Sequence, residues 1–358
     1  MRRLELVVVL NIALLAVPAA AAPDVCEEMP EPGRWEAAGT PDPGLDPMRI
    51  TVHRGAANLA PEDTIPAFEY AIAYGMDMIE VDVQQTADGR YVVLHDYEVG
   101  DKTDGSGYIF TMTYQQATSL NAADNDRWRG GEYDPTPVPG LEEVLALASE
   151  HEVGINFDLK ESVWNAAGVA LLAREFPGVV ERSIFQPYVP GRTEQILAVA
   201  PEATVMFNSQ YEGTPPAALY ALGAEYDWFG SSLPNFPPEA IVAIHDACDL
   251  VQPNVYQGDV TGTEAGDLAY ARSIGADGAM VNNPQVAAEV LGRPVETSIR
   301  LEPDAGRACL VGHHDLGLPA KPLDVDGINL TSARGGCVPW SGGPVSFAGD
   351  GSALASSA

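Results

Sequence analysis

Short apolar runs alternate with longer amphipathic stretches between residues 48 and 293. Eight runs rich in β-branched and aromatic residues predict strands: Arg49–His53, Met78–Val83, Gly154–Leu159, Arg182–Phe185, Thr204–Asn208, Trp228–Ser231, Leu250–Val255 and Gly278–Val281. The stretches with helical spacing are Ile65–Tyr74, Leu141–His151, Asn165–Phe176, Thr193–Val199, Pro216–Leu222, Pro238–Ala247, Ala265–Ile274 and Val286–Leu291. Eight strand–helix units in about 245 residues predict an α/β fold, a (β/α)8 TIM barrel. An open doubly wound sheet usually has fewer strand–helix units and a Gly-rich first turn, and the sequence shows neither feature.

One of the eight units carries extra sequence. Asp88-Gly89 lies between two apolar runs and predicts a turn, after which an extra strand ends at His95-Asp96. Residues 97–140 then form a long insertion before the second helix. Because a long loop in a compact domain is usually functional, we expect a lid or a specificity element there.

The N-terminus has the features of an export signal. Arg2-Arg3 precede an apolar stretch from Leu6 to Val17, and small residues suited to cleavage follow at Ala19–Ala22. We therefore expect a signal peptide over 1–22 and a secreted, periplasmic or extracellular protein. Residues 23–47 are rich in Pro and Glu and predict an extended arm. No other segment has 18 apolar residues, so no membrane span is expected after cleavage.

The four cysteines predict two disulfides in an exported chain. They are Cys26, Cys248, Cys309 and Cys337, and three pairings are possible. We favour Cys309 with Cys337, since both lie in the Gly-rich segment 294–358. That segment breaks the strand–helix rhythm and predicts a small disulfide-containing appendage with a disordered tail.

The charge of the chain is strongly negative. There are 51 Asp and Glu residues against 19 Lys and Arg residues, and the formal net charge is -32. Such a surface repels nucleic acid and anionic membranes, so we expect no nucleic-acid partner. It also slows anionic substrates unless the active-site mouth is locally positive or holds a metal ion.

Carboxylates fall at the ends of two neighbouring predicted strands. Active sites of such barrels lie at the C-terminal ends of the strands. Glu80 and Asp82 are two residues apart, so both point to one face of their strand, and Asp158 ends the next strand. Three carboxylates predict a site for one divalent cation, Ca2+ or Mg2+. A salt bridge at a strand end is the alternative for Glu80 or Asp82 alone.

Two histidines and two cations end the same group of strands. His53 and His95 make a proton-transfer pair plausible, although a single histidine would more often be structural. Arg54 and Lys160 beside a divalent cation form an anion clamp. A phosphate suits this clamp because Arg can grip two oxygens and the metal neutralises charge.

These residues belong to a set of motifs that resembles the glycerophosphodiester phosphodiesterase family. The resemblance covers about 48–293 and is dense over 53–107. The matching motifs are His53-Arg54-Gly55, Pro61-Glu62-Asp63-Thr64, Ala67-Phe68, Glu80-Val81-Asp82-Val83, Thr86-Ala87-Asp88-Gly89, His95-Asp96 and Lys102-Thr103-Asp104-Gly105-Ser106-Gly107.

The resemblance implies a barrel of the phospholipase-C-like phosphodiesterase type and a small-molecule phosphodiester substrate. Glycerophosphocholine or glycerophosphoethanolamine would be hydrolysed to glycerol 3-phosphate and an alcohol. The implied roles are acid–base catalysis by His53 and His95, metal binding by Glu80, Asp82 and Asp158, and phosphate binding by Arg54 and Lys160. We expect Glu62 to steady Arg54 without binding the metal.

The sequence departs from the family pattern at several positions. Asp158 stands where Glu is usual, and Asp63 stands where Asn is usual, which is harmless if Asp63 caps the first helix. Asn282-Asn283 replace Thr-Asp, and Tyr256 is only a loose counterpart of the family's Trp-Thr-Val-Asn motif.

These departures leave two alternatives to the implied activity. The first is a related barrel phosphodiesterase acting on a lysophospholipid, a phosphoinositide or a teichoic-acid-type polymer. The second is a non-catalytic binding protein. The sequence leaves the preferred alcohol, the metal and the oligomeric state open.

Overall fold

The structure is a computed structural model that describes residues 48–189, 191–209, 227–245 and 249–293. Seven short strands between residues 298 and 356 are described as backbone. The predicted signal peptide 1–22, the arm 23–47, Cys26, Cys248 and the predicted helix Pro216–Leu222 lie outside the described residues.

Eight parallel strands close into a barrel. They are β1 (Arg49–Val52), β2 (Met78–Gln85), β4 (Gly154–Leu159), β5 (Ile184–Pro187), β6 (Thr204–Ser209), β7 (Trp228–Ser232), β8 (Leu250–Asn254) and β9 (Gly278–Val281). Closure follows from β1, which pairs in parallel with both β9 and β2. The extra strand β3 (Tyr91–Val93) pairs antiparallel with β2 beyond the barrel rim. The predicted parallel barrel is thus confirmed.

Helices follow seven of the eight barrel strands within the described ranges. Those that cover the barrel are α1 (Ile65–Ala73), α3 (Leu141–Glu150), α4 (Ala166–Ala173), α6 (Arg192–Leu197), α7 (Pro238–His245), α8 (Glu264–Ser273) and α9 (Pro284–Leu291). Two shorter helices are α2 (Tyr114–Thr118) and α5 (Val179–Arg182). The apolar faces of α5 and of the helices that cover the barrel share one large core with the outward faces of the strands.

The start of the fourth barrel strand was predicted two residues too early. Arg182, expected to begin the fourth barrel strand, ends α5, and β5 begins only at Ile184. The Ser183 hydroxyl accepts a hydrogen bond from the Ile155 amide at 2.9 Å, so a side chain replaces the strand ladder at this point.

The barrel interior is apolar at its N-terminal end and polar at its C-terminal end. Met78, Ile184, Met206 and Trp228 form a separate buried cluster at the first positions of their strands or close to them. Gly278 leaves room for the Trp228 ring, since a Cβ atom on Gly278 would lie 3.3 Å from it. One end of the barrel is therefore filled, and the chemistry can only lie at the other end.

The insertion 97–140 has a small core of its own. Buried side chains of the insertion and β3 pack together: Val92, Leu94, Val99, Ile109, Ala117, Ala122 and Val138. Helix α2 begins with a capping box between Thr113 and Gln116. A hydrogen bond of 2.8 Å between the hydroxyls of Tyr133 and Tyr70 ties the insertion to α1. The segment is a folded attachment to the barrel.

The described C-terminal strands form two small sheets. One consists of β10 (Ser298–Glu302), β11 (Arg307–Val311) and β14 (Gly336–Pro339), and its register places the Cα atoms of Cys309 and Cys337 opposite each other. The other consists of β12 (Leu323–Val325), β13 (Ile328–Leu330), β15 (Val345–Phe347) and β16 (Ala353–Ser356). The disulfide and the character of the tail stay predictions. In the described part of the chain, every helix is too short or too polar to cross a membrane.

Candidate active site

The residues singled out from the sequence meet at the C-terminal end of the barrel. β2 and β4 are direct neighbours, and their register places Asp82 opposite Asp158. The Leu94 amide donates to the Asp82 carbonyl at 3.0 Å, which holds the segment before His95 at the same level. Arg54 and Lys160 contact these carboxylates, and Glu62 contacts Arg54.

Three carboxylates form a compact, buried cluster. Oxygen atoms of Glu80, Asp82 and Asp158 lie within 4.8 Å of one another. Each side chain is almost fully buried, with an exposed fraction of 6% or less. The alternation of a strand explains the arrangement, because Glu80 and Asp82 both point into the barrel and Asp158 faces them from the next strand.

Two cations lie against these carboxylates. Lys160 Nζ is 2.5 Å from Asp82 Oδ1 and 2.9 Å from Asp158 Oδ2, and Arg54 Nε is 3.1 Å from Asp82 Oδ2. Burial alone would raise the pKa of Asp82, but Lys160 and Arg54 hold it well below its usual range. Burial opposes the charge of Lys160, and Asp82 and Asp158 outweigh it and raise its pKa.

The two cations do not satisfy the whole cluster. Burial, followed by the Asp82 and Asp158 charges, raises the pKa of Glu80 well above its ordinary value, and burial raises the pKa of Asp158 to about 6. Asp158 Oδ1 and both Asp82 oxygens receive no aligned hydrogen bond within the described chain. Buried, under-coordinated carboxylate oxygens are the donor set of Ca2+ or Mg2+, so the site fits a divalent cation.

Asp63 does not cap the first helix. The condition under which Asp was expected to replace the family's usual Asn without harm is therefore not met. Thr64 occupies the N-cap position without a side-chain cap bond, and Asp63 has a left-handed backbone with φ 57°. Its buried side chain turns into the site, where Oδ1 accepts a long 3.4 Å hydrogen bond from the Asp82 amide. Burial and the charges of Asp82 and Glu80 raise the pKa of Asp63 well above its ordinary value. A fourth buried carboxyl group therefore lies beside the cluster.

The hydrogen-bond partner of His53 is a neutral side chain. Its Nδ1 donates to Asn282 Oδ1 at 2.9 Å, which leaves Nε2 as the basic atom. Tyr256 stacks on the imidazole with ring centroids 4.5 Å apart and an interplanar angle of 4°. Burial, reinforced by Arg54, lowers the pKa of His53 to about 4. His53 is thus unprotonated at neutral pH. Glu264 fixes the Asn282 backbone amide through a 2.6 Å hydrogen bond.

His95 has a charged neighbour. Its Nδ1 lies 2.7 Å from Asp96 Oδ1. The Gln84 side-chain amide donates to the carbonyls of Leu94 and Asp96, each at 2.7 Å, and so fixes the backbone on both sides of the histidine. The hydrogen-bond partner of His95 is thus a carboxyl group, whereas that of His53 is an amide.

Arg54 is held on three sides. Its backbone amide donates to Glu80 Oε2 at 2.7 Å, and its Nη1 donates to Glu62 Oε1 at 3.1 Å, while Nε faces Asp82. The expected contact between Glu62 and Arg54 is therefore present. Lys102 Nζ of the insertion lies 3.0 Å from the same Glu62 oxygen.

Helix α1 packs too closely against Gly55 to leave room for a side chain there. It has φ +69°, and a Cβ atom there would lie 2.8 Å from the Ala67 carbonyl carbon of α1. The close packing against α1, together with the positive φ, accounts for this glycine.

Sequence reasoning gave no site role to several residues that contact the predicted ones. Tyr188 donates to Asp158 Oδ2 at 3.0 Å, and Asn282, Tyr256, Lys102 and Asp63 make the contacts described above. Tyr256 and Asn282 directly follow predicted strands, so inspection of every strand end would have identified them. Tyr188 directly follows the observed β5 but lies three residues beyond the predicted strand.

Comparisons with known proteins agree with the fold and with the motifs. The model of the "Glycerophosphoryl diester phosphodiesterase family" matches residues 53–252. "Glycerophosphodiester phosphodiesterase 1" of Bos taurus is 34% identical over 146 residues, which is 40% of this chain and 44% of that protein. "Glycerophosphodiester phosphodiesterase" of Caldanaerobacter subterraneus is 33% identical over 135 residues, which is 38% of this chain and 50% of that protein. The aligned region spans about half the length of these relatives or less.

Solved structures share the fold at low sequence identity. A glycerophosphodiester phosphodiesterase from Agrobacterium tumefaciens has a TM-score of 0.58 and 24% identity, over 68% of this chain and 99% of that one. An Oleispira antarctica phosphodiesterase in complex with its product sn-glycerol-3-phosphate has a TM-score of 0.59 and 20% identity, over 69% and 97%.

Asp63→Asn is expected to stabilise the metal-free protein. The amide keeps an acceptor for the Asp82 amide and removes a carboxyl group from a cluster of like charges, so the free energy of unfolding should rise by about 1–3 kcal/mol. Folding raises the pKa of Asp63, so its contribution to stability is lost as pH rises through the folded-state pKa. The advantage of the variant should therefore grow with pH in denaturant titrations with a chelator.

The matched control is Asp63→Ala. It leaves the Asp82 amide unpaired and puts a side chain without a polar group at a positive φ, so it should destabilise the protein at every pH. An Asn variant that is less stable than the wild type in chelator would contradict the account of Asp63.

Proposed function

Because the chain belongs to the glycerophosphoryl diester phosphodiesterase family, we propose that it hydrolyses glycerophosphodiesters to glycerol 3-phosphate and an alcohol. Glycerophosphocholine and glycerophosphoethanolamine are the substrates we expect first. One observation carries the proposal. Two histidines, one hydrogen-bonded to the Asn282 amide and one to the Asp96 carboxyl group, share a barrel mouth with a carboxylate cluster suited to a cation and with two cations suited to a phosphate. The names of the relatives support the same reaction.

Glu80, Asp82 and Asp158 would hold one divalent cation, Ca2+ or Mg2+. When bound, such an ion supplies positive charge to a phosphate oxygen and so favours attack at phosphorus. Arg54 and Lys160 would bind the remaining phosphate charge. Their own ion pairs with Asp82 keep both side chains extended toward the cluster, so little conformational entropy is lost on binding.

His53 acts as the general base and His95 as the general acid in the first step. Nε2 of His53 takes the proton from the neighbouring glycerol hydroxyl, whose oxygen attacks phosphorus. The bond to the leaving alcohol breaks, and His95, held at Nδ1 by Asp96, gives that oxygen a proton. A cyclic glycerol phosphate is formed. In the second step His95 takes a proton from water, and His53 protonates the glycerol oxygen as the ring opens.

Two further features are proposed from the sequence. Residues 1–22 would direct export, and Cys309–Cys337 would form a disulfide in an oxidising compartment. The opposite positions of Cys309 and Cys337 in antiparallel strands support this pairing.

Release of glycerol 3-phosphate from glycerophosphocholine tests the proposed reaction. We expect release with Ca2+ or Mg2+ and its loss with excess chelator. His53→Ala and His95→Ala should each lower kcat by about 10²–10⁴-fold, because each removes a proton-transfer group. His151→Ala is the control, since that histidine is exposed at the end of α3. The proposal fails if no glycerophosphodiester is hydrolysed with any divalent ion.

The pH profile tests the assignment of His53 as the base. At saturating cation, kcat/KM should fall on the acid side only as pH approaches about 4, where His53 becomes protonated and can no longer accept a proton. Asn282→Asp places a carboxylate beside Nδ1 and should move this acid limb upward by about 1–3 pH units. An acid limb that is the same in both proteins would assign the base to another group.

A second candidate substrate has an apolar part. Tyr108 and Phe110 of the insertion are 49% and 44% exposed, and their rings stack with centroids 5.3 Å apart. The Ile109 amide between them donates to the Tyr97 carbonyl at 3.0 Å, which ties the pair to the backbone two residues after His95. An exposed aromatic pair beside the site favours a lysophospholipid over the phosphoinositide and polymer alternatives.

The double substitution Tyr108→Ser with Phe110→Ser separates the two substrates. If a lysophospholipid is used, its kcat/KM should fall about 10-fold or more through lost apolar contact, and that of glycerophosphocholine should stay unchanged. Leu171→Ser with Val242→Ser is the control, because these residues are similarly exposed but lie on α4 and α7. Equal loss in both double variants would rule out a role for the aromatic pair.

A further inference from the structure

Lys102 brings a positive charge from the insertion to the anion clamp. Its Nζ lies 3.0 Å from Glu62 Oε1, and the same oxygen accepts a hydrogen bond from Arg54 Nη1 at 3.1 Å. Two nitrogen atoms on one oxygen lie at most about 6 Å apart. A phosphate can bridge such a pair, since its oxygens are separated by roughly 2.5 Å and each accepts charge-assisted hydrogen bonds of about 2.8 Å.

Both side chains retain donors for a ligand. Arg54 uses Nη1 on Glu62 and Nε on Asp82, and none of the hydrogen bonds and ion pairs of the described chain uses its Nη2. The Lys102 side chain is 33% exposed and has three N–H donors, of which one faces Glu62. The pair can therefore grip an anion without giving up Glu62.

The Lys102 side chain is not needed to hold the insertion in place. The turn around it is closed through Val99, whose carbonyl accepts from the Thr103 amide at 2.9 Å and from the Thr103 hydroxyl at 2.8 Å. The insertion is also tied to the barrel by Tyr133 on Tyr70 and by its own core. A purely structural tether through Lys102 would add little to these contacts.

The charge of the chain makes the position of Lys102 informative. The sequence has only three lysines, Lys102, Lys160 and Lys321, against a formal net charge of -32. Two of the three lie at the same barrel mouth, on Asp82 and on Glu62. An anionic ligand must overcome long-range repulsion from this surface, so local cations at the mouth have a large effect on its binding.

We propose that Lys102 is a third phosphate-binding cation of the site, supplied by the insertion and kept in position by Glu62. This inference rests on the proposed function for the identity of the substrate, but it concerns the binding of the phosphate group alone. Lys102 contributes to affinity for the phosphate and takes no part in proton transfer. The insertion is thereby a substrate-binding element, and loss of the Lys102 charge should change KM and leave kcat nearly constant.

Calorimetric titration with inorganic phosphate at fixed Mg2+, together with kinetics on glycerophosphocholine, tests this role. We expect Lys102→Met to weaken phosphate binding and to raise KM by about 10-fold, the effect of one charge-assisted hydrogen bond. The kcat value should stay within about 3-fold, and Lys102→Arg should restore both affinities to within about 3-fold, since it keeps the charge.

Arg127→Met is the matched control. Arg127 lies on the same insertion, has an exposed side chain and contacts the same loop of the barrel through a 2.5 Å hydrogen bond to the Asn58 carbonyl. Arg127→Met removes the same charge and a contact with the barrel, yet the affinity for phosphate and the KM for glycerophosphocholine should stay close to the wild-type values.

Three results would overturn the proposal. The first is equal behaviour of Lys102→Met and Arg127→Met, the second is a fall in kcat at unchanged KM, and the third is the absence of phosphate binding by the wild-type protein. If the wild type binds phosphate but hydrolyses no glycerophosphodiester, the proposed function fails. The phosphate titration of the variants then still decides the role of Lys102.

Discussion

The mutual repulsion of buried carboxylates is the constraint on which the site depends. Glu80, Asp82, Asp158 and Asp63 are all buried in one barrel mouth, and two cations, Arg54 and Lys160, lie among them. Burial, reinforced for Glu80 and Asp63 by the neighbouring carboxylates, raises the pKa values of three of these carboxyl groups. Burying charges that are not fully paired is costly, so this arrangement is expected where binding of a cation offsets the cost.

The same charges act on the two histidines of the barrel mouth. Arg54, drawn into the mouth by Asp82, lies next to His53 and helps to lower its pKa, while His95 has the separate carboxylate of Asp96. The two histidines thereby have different hydrogen-bond partners, an amide for His53 and a carboxyl group for His95. The amide of Asn282 contributes by orienting His53 without adding a charge.

The strand pattern carried most of the information that sequence could provide. Period-two alternation placed Glu80 with Asp82 and Asp158 with Lys160 correctly, because strand geometry is local. The contact of His53 with Asn282 could not be derived in this way, since it joins residues 229 positions apart and depends on closure between β1 and β9. Asp63 does not cap the first helix, as the sequence had allowed, because its left-handed backbone turns the side chain toward the barrel.

Calorimetric titration of the chelator-treated protein with Ca2+ and with Mg2+ tests the central claim most directly. At pH 7, in two buffers with different ionisation enthalpies, we predict one equivalent bound with net release of protons, since the carboxyl groups with raised pKa values must ionise on binding. Glu80→Gln should weaken this binding by about 10–100-fold. Absence of saturable binding, or an affinity unchanged in Glu80→Gln, would contradict the claim that the buried carboxylates form a cation site.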